Sequence, residues 1–322
     1  MRILSIIRRT GNLDDAKEFN GKLYPFKSYL VLIFSKYLSD NGHKITYIFE
    51  DEFKDEEKSN GVDFFLCFDL IVQYSLKNKI VNENREKISA RLIILETPVL
   101  KRLIHEPLKN QKFFRVMMDT HLGNNIIKKY QNNETTRDFL LPKLEKYKKF
   151  GHYILLVNQI VGDTAVVPYH PVKWIHEKII NIRKHSDKKI IIREHPLQLS
   201  ENKNLLIKTL IEKNLNCFIS ENKNIEDDLV NASSCITLSS SASIDALIKG
   251  VPIFVEDQRS FAYEIANLNI KNINNPVNKE RDTLFKSIAN THWSLEEIEN
   301  GKCWYFLKKI LTKKQTCNST KL

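Results

Sequence analysis

The residues with the most chemical promise form the run Ser239-Ser240-Ser241-Ala242-Ser243. Cys235-Ile236-Thr237-Leu238 precedes it, and Ile244 to Lys249 followed by Gly250-Val251-Pro252 comes after it. The pattern predicts a strand, a hydroxyl-rich turn, a helix and then another strand. A helix that starts in such a turn offers free backbone N–H groups and hydroxyl donors to an anion, most often a phosphate. The plainer reading is a Ser N-cap. Four Ser in five residues exceed what a cap requires.

Similar polar residues follow other expected strands. Glu96 follows Arg91–Leu95, with Arg102 six residues on. Asn158-Gln159-Ile160-Val161-Gly162-Asp163 follows Tyr153–Val157, and Arg193-Glu194-His195-Pro196 closes Lys189–Ile192. Glu256-Asp257 follows Pro252–Val255 and reads best as a cap on the next helix. Taken singly, Glu96 or Asp163 is a cap or surface carboxylate, and His195 a loop residue. In open α/β sheets, however, ligands sit beyond the carboxyl ends of the strands, and all these residues belong to that edge.

Together they suggest one chemistry. Arg193, His195 and the Ser turn would hold a phosphate through charge-assisted and helix N-terminal hydrogen bonds. Glu96 and Asp163 would face each other across a cleft, as suits glycosyl transfer from a nucleotide sugar. One carboxylate would serve as nucleophile or as stabiliser of the oxocarbenium-like centre, and the other as acid or base. There is no Walker loop, GxGxxG, His-rich metal motif or Asp-x-Asp, so no metal is expected; cations and N–H groups would neutralise the phosphate.

These residues require an alternation of strands and helices. Ile3–Ile7, Lys44–Phe49, Phe64–Val72 and Arg91–Leu95 read as strands, and Lys27–Asn41 as a helix ended by Gly42. Thr135–Phe150 reads as a charged helical segment leading to a linker at Gly151. Beyond it, strands are expected at Tyr153–Val157, Lys189–Arg193, Cys217–Ser220, Ser234–Leu238 and Pro252–Val255. Helices are expected at Trp174–His185, Lys203–Asn214, Ile225–Ala232 and Ile244–Lys249. The fold class is therefore α/β, with two Rossmann-like domains whose parallel sheets face a central cleft. The domains are 1–150 on the acceptor side and 151–292 on the nucleotide-sugar side. A C-terminal segment, 293–322, opens with the capping box Ser294-x-x-Glu297 and carries Trp304, Phe306 and Leu307 as core residues that pack back across the domains.

The 322 residues suffice for two such domains. Lys and Arg number 50 against 39 Asp and Glu, a net charge of +11 that favours anionic partners. The excess is spread along the chain and no nucleic-acid module is recognisable, so nucleic acid is not an expected partner. Five Cys at 67, 217, 235, 303 and 317 form no CxxC and read as reduced thiols. No apolar run reaches membrane-span length, and Met1–Arg9 reads as a strand rather than a signal peptide. The expected location is cytoplasmic.

Gln159-x-x-Gly162-Asp163, Arg193-x-His195-Pro196 and the Ser turn with Asp245-Ala246-Leu247-x-x-Gly250-Val251-Pro252 resemble the bacterial capsular-polysaccharide and lipopolysaccharide glycosyltransferases of the GT-B fold. They are most similar to the retaining β-Kdo transferases, which use CMP-Kdo. Glu96-Thr97-Pro98-Val99-Leu100-Lys101-Arg102 resembles that family's Glu-x-Gly-Phe-x-x-Arg segment, with Pro98-Val99 standing in place of Gly-Phe. Trp293-Ser294-x-x-Glu297-Ile298-x-x-Gly301-x-x-Trp304 resembles the C-terminal segment of related capsule proteins. The likeness spans about Arg91 to Leu307. It implies a double displacement with Asp163 as nucleophile and Glu96 as general acid/base. Gln159 belongs to the donor motif, and His195, Ser239, Ser240, Ser241 and Ser243 would bind the CMP phosphate. The CMP-activated sugar is then a substrate rather than a cofactor, and the acceptor a glycan or lipid-linked glycan.

Two other readings stay open: an epimerase or hydrolase of nucleotide sugars, and a non-catalytic glycan- or nucleotide-binding component of an assembly complex. The basic stretch Lys308–Lys321 reads as a solvated tail, with docking to the inner face of the cytoplasmic membrane as its alternative.

Overall fold

The computed structural model describes residues 1–9, 15–53, 61–75, 81, 87–100, 113–120, 122–131, 137–161, 166, 168–195 and 216–318. The chain divides into two compact units, Met1–His121 with Asn290–Leu322, and Leu122–Ala289.

The first unit contains β1 (Arg2–Ile7), β2 (Lys17–Phe19), β3 (Lys22–Tyr24), α1 (Phe26–Asp40), β4 (Lys44–Phe49), α2 (Gly61–Leu66), β5 (Leu70–Tyr74), β6 (Arg91–Glu96) and β7 (Phe113–Met118). Its sheet has the order β13-β7-β6-β5-β1-β4, where β13 is His292–Ser294 from the far end of the chain. β4, β1, β5 and β6 are mutually parallel. β7 and β13 extend the sheet antiparallel. The inner strands are buried almost throughout, as a sheet with crossovers on its faces requires. One face packs Leu4, Ile6, Ile71, Leu92 and Ile94 against Phe65 and Phe68.

The expected strand Phe64–Val72 is corrected. Gly61–Leu66 is helical, and the strand is confined to Leu70–Tyr74. Phe64 and Phe68 stand four residues apart, and their ring centroids lie 5.2 Å apart, the pairing a helical turn produces. The capping box at Ser294 and Glu297 forms both of its hydrogen bonds and opens the short helix Leu295–Glu299. Gly301, at φ +78°, then turns the chain against the Tyr37 ring, which a Cβ would strike. The helix Lys302–Asn318 follows, so the backbone of the expected solvated tail is helical as far as Asn318. Trp304 packs edge-on against Phe34 as core, and Trp293 lies 5.4 Å from Phe306.

The second unit contains α3 (Ile126–Tyr130), β8 (Tyr153–Val157), α4 (Pro171–Arg183), β9 (Lys189–Arg193), β10 (Cys217–Ile219), α5 (Ile225–Val230), β11 (Ala232–Thr237), α6 (Ala242–Ile248), β12 (Ile253–Val255) and α7 (Asp282–Ala289). Its sheet is parallel throughout, in the order β10-β9-β8-β11-β12. Its core joins Ile154, Leu156, Ile192, Ile236 and Phe254 to Trp174, Ile175 and Ile179 of α4. The expected helix Lys203–Asn214 lies outside the described residues.

Residues 122–150, placed by sequence in the first domain, pack in this unit. Nor is Thr135–Phe150 a helix where it is described. After a single 3-10 turn at Asp138–Leu140 the chain runs extended past Pro142, which lacks the N–H a helix needs. The Glu145 amide donates to Ile248 O and the Lys148 amide to Gly250 O. Gly250 is at φ +64°, and a Cβ there would lie 2.1 Å from Lys146 O. Only glycine lets this strap lie against the end of α6.

Candidate functional site

In the second unit's sheet the strand order reverses direction between β8 and β11, which makes their carboxyl ends the topological switch point. The two loops that leave this point are joined by side chains. The Ser239 amide donates to Gln159 Oε1 at 2.9 Å, and Gln159 Nε2 lies 3.3 Å from Ser239 Oγ. Both residues are buried. The chain of contacts continues toward β9. The Gln159 amide donates to Asn158 Oδ1 at 2.9 Å, and Asn158 Nδ2 donates to Glu194 Oε2 at 3.2 Å. A row of polar side chains thus links three adjacent strand ends.

The serines of the turn divide into two pairs. Ser239 is held by Gln159, and Ser243 is fully buried, donating to Ser240 O at 2.8 Å with its Oγ 3.4 Å from Ser260 Oγ. Ser240 is half-buried and Ser241 exposed. The expected array of free N–H groups is corrected. The amides of Ala242, Ser243 and Ile244 bond to Ser240 Oγ, Ser240 O and Ser241 O. What the turn offers a ligand includes the hydroxyls of half-buried Ser240 and exposed Ser241.

Arg193 is engaged elsewhere than the sequence suggests. Its NH1 meets Asp228 Oδ2 at 2.5 Å and Asn222 O at 3.0 Å, and its NH2 meets Lys223 O at 2.8 Å. Asp228, 1% exposed, also accepts from Ser220 Oγ at 2.6 Å and Asn222 Nδ2 at 2.7 Å. This network ties β9 to the loop before α5, and both terminal nitrogens of the guanidinium are engaged by protein acceptors. His195 is half-buried, two residues past β9. Asp163 and Arg102 lie outside the described residues.

Glu256 and Asp257 cap no helix, contrary to expectation. Glu256 Oε2 accepts from Trp174 Nε1 and pairs with Lys178 Nζ, each at 2.6 Å. Asp257, nearly buried, accepts from the backbone and side chain of Arg259. A turn follows them, so both acids brace strand-end loops. Beside β12 a cavity of about 530 Å³ opens between α4 and residues 267–271, with Phe254 and Ile236 as its apolar floor. Of the polar residues singled out by sequence only Glu256 lines it; the serine turn, Gln159, Arg193 and His195 do not.

Glu96 belongs to the first unit, at the last position of β6, opposite Arg115 of β7. Its Oε1 accepts from the Thr97 amide at 2.8 Å and from Thr97 Oγ1 at 3.2 Å. The loop that follows is held by a residue sequence reasoning missed. His292, on β13 and also opposite Arg115, accepts at Nε2 from the Val99 amide at 2.9 Å and the Leu100 amide at 3.2 Å. A ring nitrogen that receives two N–H groups carries a lone pair, so His292 is neutral with its proton on Nδ1, beside Thr291 Oγ1. Tyr74 was also missed. Burial, then the charge of Glu96, push its phenol well above the ordinary value. No local motif marks either residue, since each acts through neighbours distant in sequence.

Among the described residues no cluster of His, Cys, Asp and Glu is arranged to hold a metal ion. No described helix is long and apolar enough to cross a membrane.

Solved structures similar to this chain include two from Thermosulfurimonas dismutans KpsC. The β-Kdo 2,7 transferase matches with a TM-score of 0.47 and 14% identity, covering 94% of this chain and 100% of that one. The β-Kdo 2,4 transferase matches at 0.42 and 11%, covering 85% and 94%. The E. coli heptosyltransferase WaaC with an ADP-2-deoxy-2-fluoro heptose matches at 0.28 and 13%, covering 79% and 88%. Among curated protein sequences none matches. The model of capsule polysaccharide biosynthesis proteins matches residues 80–292. That span runs from before Glu96 to His292 and takes in the whole polar row of the second unit, and on it this chain belongs to the capsule polysaccharide biosynthesis protein family.

Proposed function

We propose that this protein is a glycosyltransferase of bacterial surface-polysaccharide assembly that uses a nucleotide-activated sugar. The observation that carries the reading is the Gln159–Ser239 link, which fixes the β8 and β11 loops together at the switch point of a parallel sheet. The Ser240 and Ser241 hydroxyls, with His195, are the groups assigned to the donor phosphate; Arg193 is assigned a supporting role through Asp228. CMP-Kdo is the donor the sequence resemblance favours, and a glycan or lipid-linked glycan the acceptor.

On this proposal Asp163 attacks the anomeric carbon as nucleotide leaves, forming a covalent sugar ester. Glu96 then takes the proton of the acceptor hydroxyl as it displaces Asp163 with overall retention. His292 acts on Glu96 only as a positioning residue, through the Val99 and Leu100 amides. Phosphate charge is met by hydroxyl donors and His195, with no metal in the scheme. The basic C-terminal helix is assigned to the inner membrane face, where a lipid-linked acceptor would lie.

Incubation of the full chain with CMP-Kdo, with and without a glycan acceptor, tests the reading. A transferase forms a sugar–acceptor product and consumes little donor alone. Equal donor consumption without acceptor would identify a hydrolase, and binding without turnover a non-catalytic partner.

A further inference from the structure

The second unit carries a cavity that the donor reading leaves unused. It holds about 530 Å³ between α4 and residues 267–271, on a floor of Ile236 and Phe254. That volume falls within the roughly 300–1,000 Å³ of small-molecule pockets. None of the groups assigned to the donor lines it.

One wall is a stripe of α4. Trp174, Lys178, Asn181 and His185 recur at i, i+4, i+7 and i+11, the spacing of a single helix face. The last three line the cavity. His185 stands in the turn that ends the helix, its amide donating to Ile182 O at 2.9 Å. The facing wall is held by its own hydrogen bonds. Asn267 bridges to Phe254 of β12, and its side chain bonds Ile253 O, Val277 O and the Val277 amide. Asn269 Oδ1 accepts from the Lys271 amide at 3.0 Å. Asn274 Nδ2 donates to His185 O at 2.7 Å, which brings the turn that carries Lys271 against the end of α4.

The two ends of the cavity differ in charge. At one, Glu256 Oε2 receives both Trp174 Nε1 and Lys178 Nζ, each at 2.6 Å, and Oε1 is left as an acceptor. Seven residues further along α4, about 10 Å, His185 and Lys271 face the cavity with no side-chain hydrogen bond or ion pair among the described residues. The Asn181 amide between the ends is uncommitted in the same way. Lys178 and Glu256 offset each other, so the charge that remains is that of Lys271, beside an imidazole. Such a pair suits one phosphate monoester, whereas a diphosphate would call for more cations. A spare carboxylate oxygen and a primary amide suit hydroxyl groups, and the apolar floor suits the face of a ring.

We propose that this cavity is a second ligand site, for a phosphate monoester carried on a polar ring. Lys271 and His185 hold the phosphate, and Asn181 and Glu256 hold ring hydroxyls. A sugar phosphate and a nucleoside monophosphate share this chemistry. The proposal does not rest on the transferase reading.

The test is calorimetric titration of the full chain with ribose 5-phosphate, AMP, ribose and inorganic phosphate, on wild type, Lys271→Gln, His185→Ala, Asn181→Leu and Ser240→Ala/Ser241→Ala. Ribose 5-phosphate should bind saturably, and more tightly than ribose or inorganic phosphate. Lys271→Gln and His185→Ala should each weaken it about tenfold, the effect of losing one charge-assisted hydrogen bond. Asn181→Leu should weaken it as well, and the serine variant should leave it unchanged. Lys271→Gln is an exposed change that leaves the core intact, so its loss of binding is not a loss of fold. AMP binding more tightly than ribose 5-phosphate would identify a nucleotide as the ligand, and weaker binding a sugar phosphate; either supports the site. The proposal is overturned if neither phosphate ester saturates, if inorganic phosphate binds as tightly as ribose 5-phosphate, or if Lys271→Gln and His185→Ala bind as wild type. It is also overturned if the serine variant abolishes binding, since the ester would then occupy the β8–β11 edge. CMP titrated into the Lys271, His185 and Asn181 variants should bind as in wild type, which separates this proposal from the donor reading.

Discussion

Gln159 and Ser239 lie 80 residues apart and are joined at 2.9 Å between the Ser239 amide and Gln159 Oε1. The bond ties the loop after β8 to the loop after β11, the two loops that flank the sheet's reversal. Gln159→Leu keeps size and loses both functions. It should leave the Ser239 amide unsatisfied, at a cost of about 1–3 kcal/mol, and lower nucleotide affinity at the same time. Urea denaturation and calorimetric nucleotide titration on one sample measure the two together.

The serine turn predicts a separation of effects. Ser243→Ala removes a buried hydrogen bond to Ser240 O and should cost about 1 kcal/mol of stability, with affinity preserved. The Ser240→Ala/Ser241→Ala double variant should lose about 1 kcal/mol of stability, for the bond from the Ala242 amide to Ser240 Oγ, and in addition lose affinity about tenfold.

Arg193 should act in the opposite sense to a phosphate ligand. Arg193→Met leaves Asp228 buried without its cation, and one-sided removal of such a partner costs about 3–5 kcal/mol. The expected result is a large drop in the urea midpoint, with near-normal nucleotide affinity in the fraction that stays folded.

His292→Phe should strand the Val99 and Leu100 amides and release the loop after Glu96. Hydrogen exchange at those two amides should accelerate, and turnover should fall further than nucleotide affinity does. Unchanged exchange would remove the positioning role.

Alkaline pH should weaken the fold. Burial pushes up the Cys235 thiol and the Tyr47, Tyr74 and Tyr153 phenols. The native state therefore holds protons that the unfolded chain releases at the ordinary values of about 8.5 for thiols and 10 for phenols. This contribution is fully present below about pH 8.5 and is lost as pH rises beyond it. Urea midpoints should be level near pH 7–8 and fall above that, and Cys235→Ala should flatten the first part of the decline.

Much of the second unit was legible because each strand of its parallel sheet is a short, continuous apolar run bounded by polar residues, as in Tyr153–Val157 and Ser234–Leu238. The capping box and the Gly42 helix end followed from local chemistry in the same way. Phe64–Val72 misled because a short apolar run fits either period, and the Phe64–Phe68 ring contact decides for helix. Thr135–Phe150 carries helix-forming charge, yet its backbone is claimed by Ile248 and Gly250, a hundred residues on. The engagement of Arg193 was hidden for a related reason: three of its acceptors are backbone carbonyls, which no side-chain motif records. Tyr74 and His292 act through the register of distant strands, so their types alone said little.

The central claim is that the β8–β11 edge of the second unit holds the nucleotide of an activated sugar. Calorimetric titration of CMP, UDP and GDP into wild type, His195→Ala and the Ser240→Ala/Ser241→Ala variant tests it most directly. The account predicts that one nucleotide, CMP first, binds the wild type and that both variants weaken it about tenfold while remaining folded. Binding that is indifferent to both variants, or absent for all three nucleotides, would contradict it.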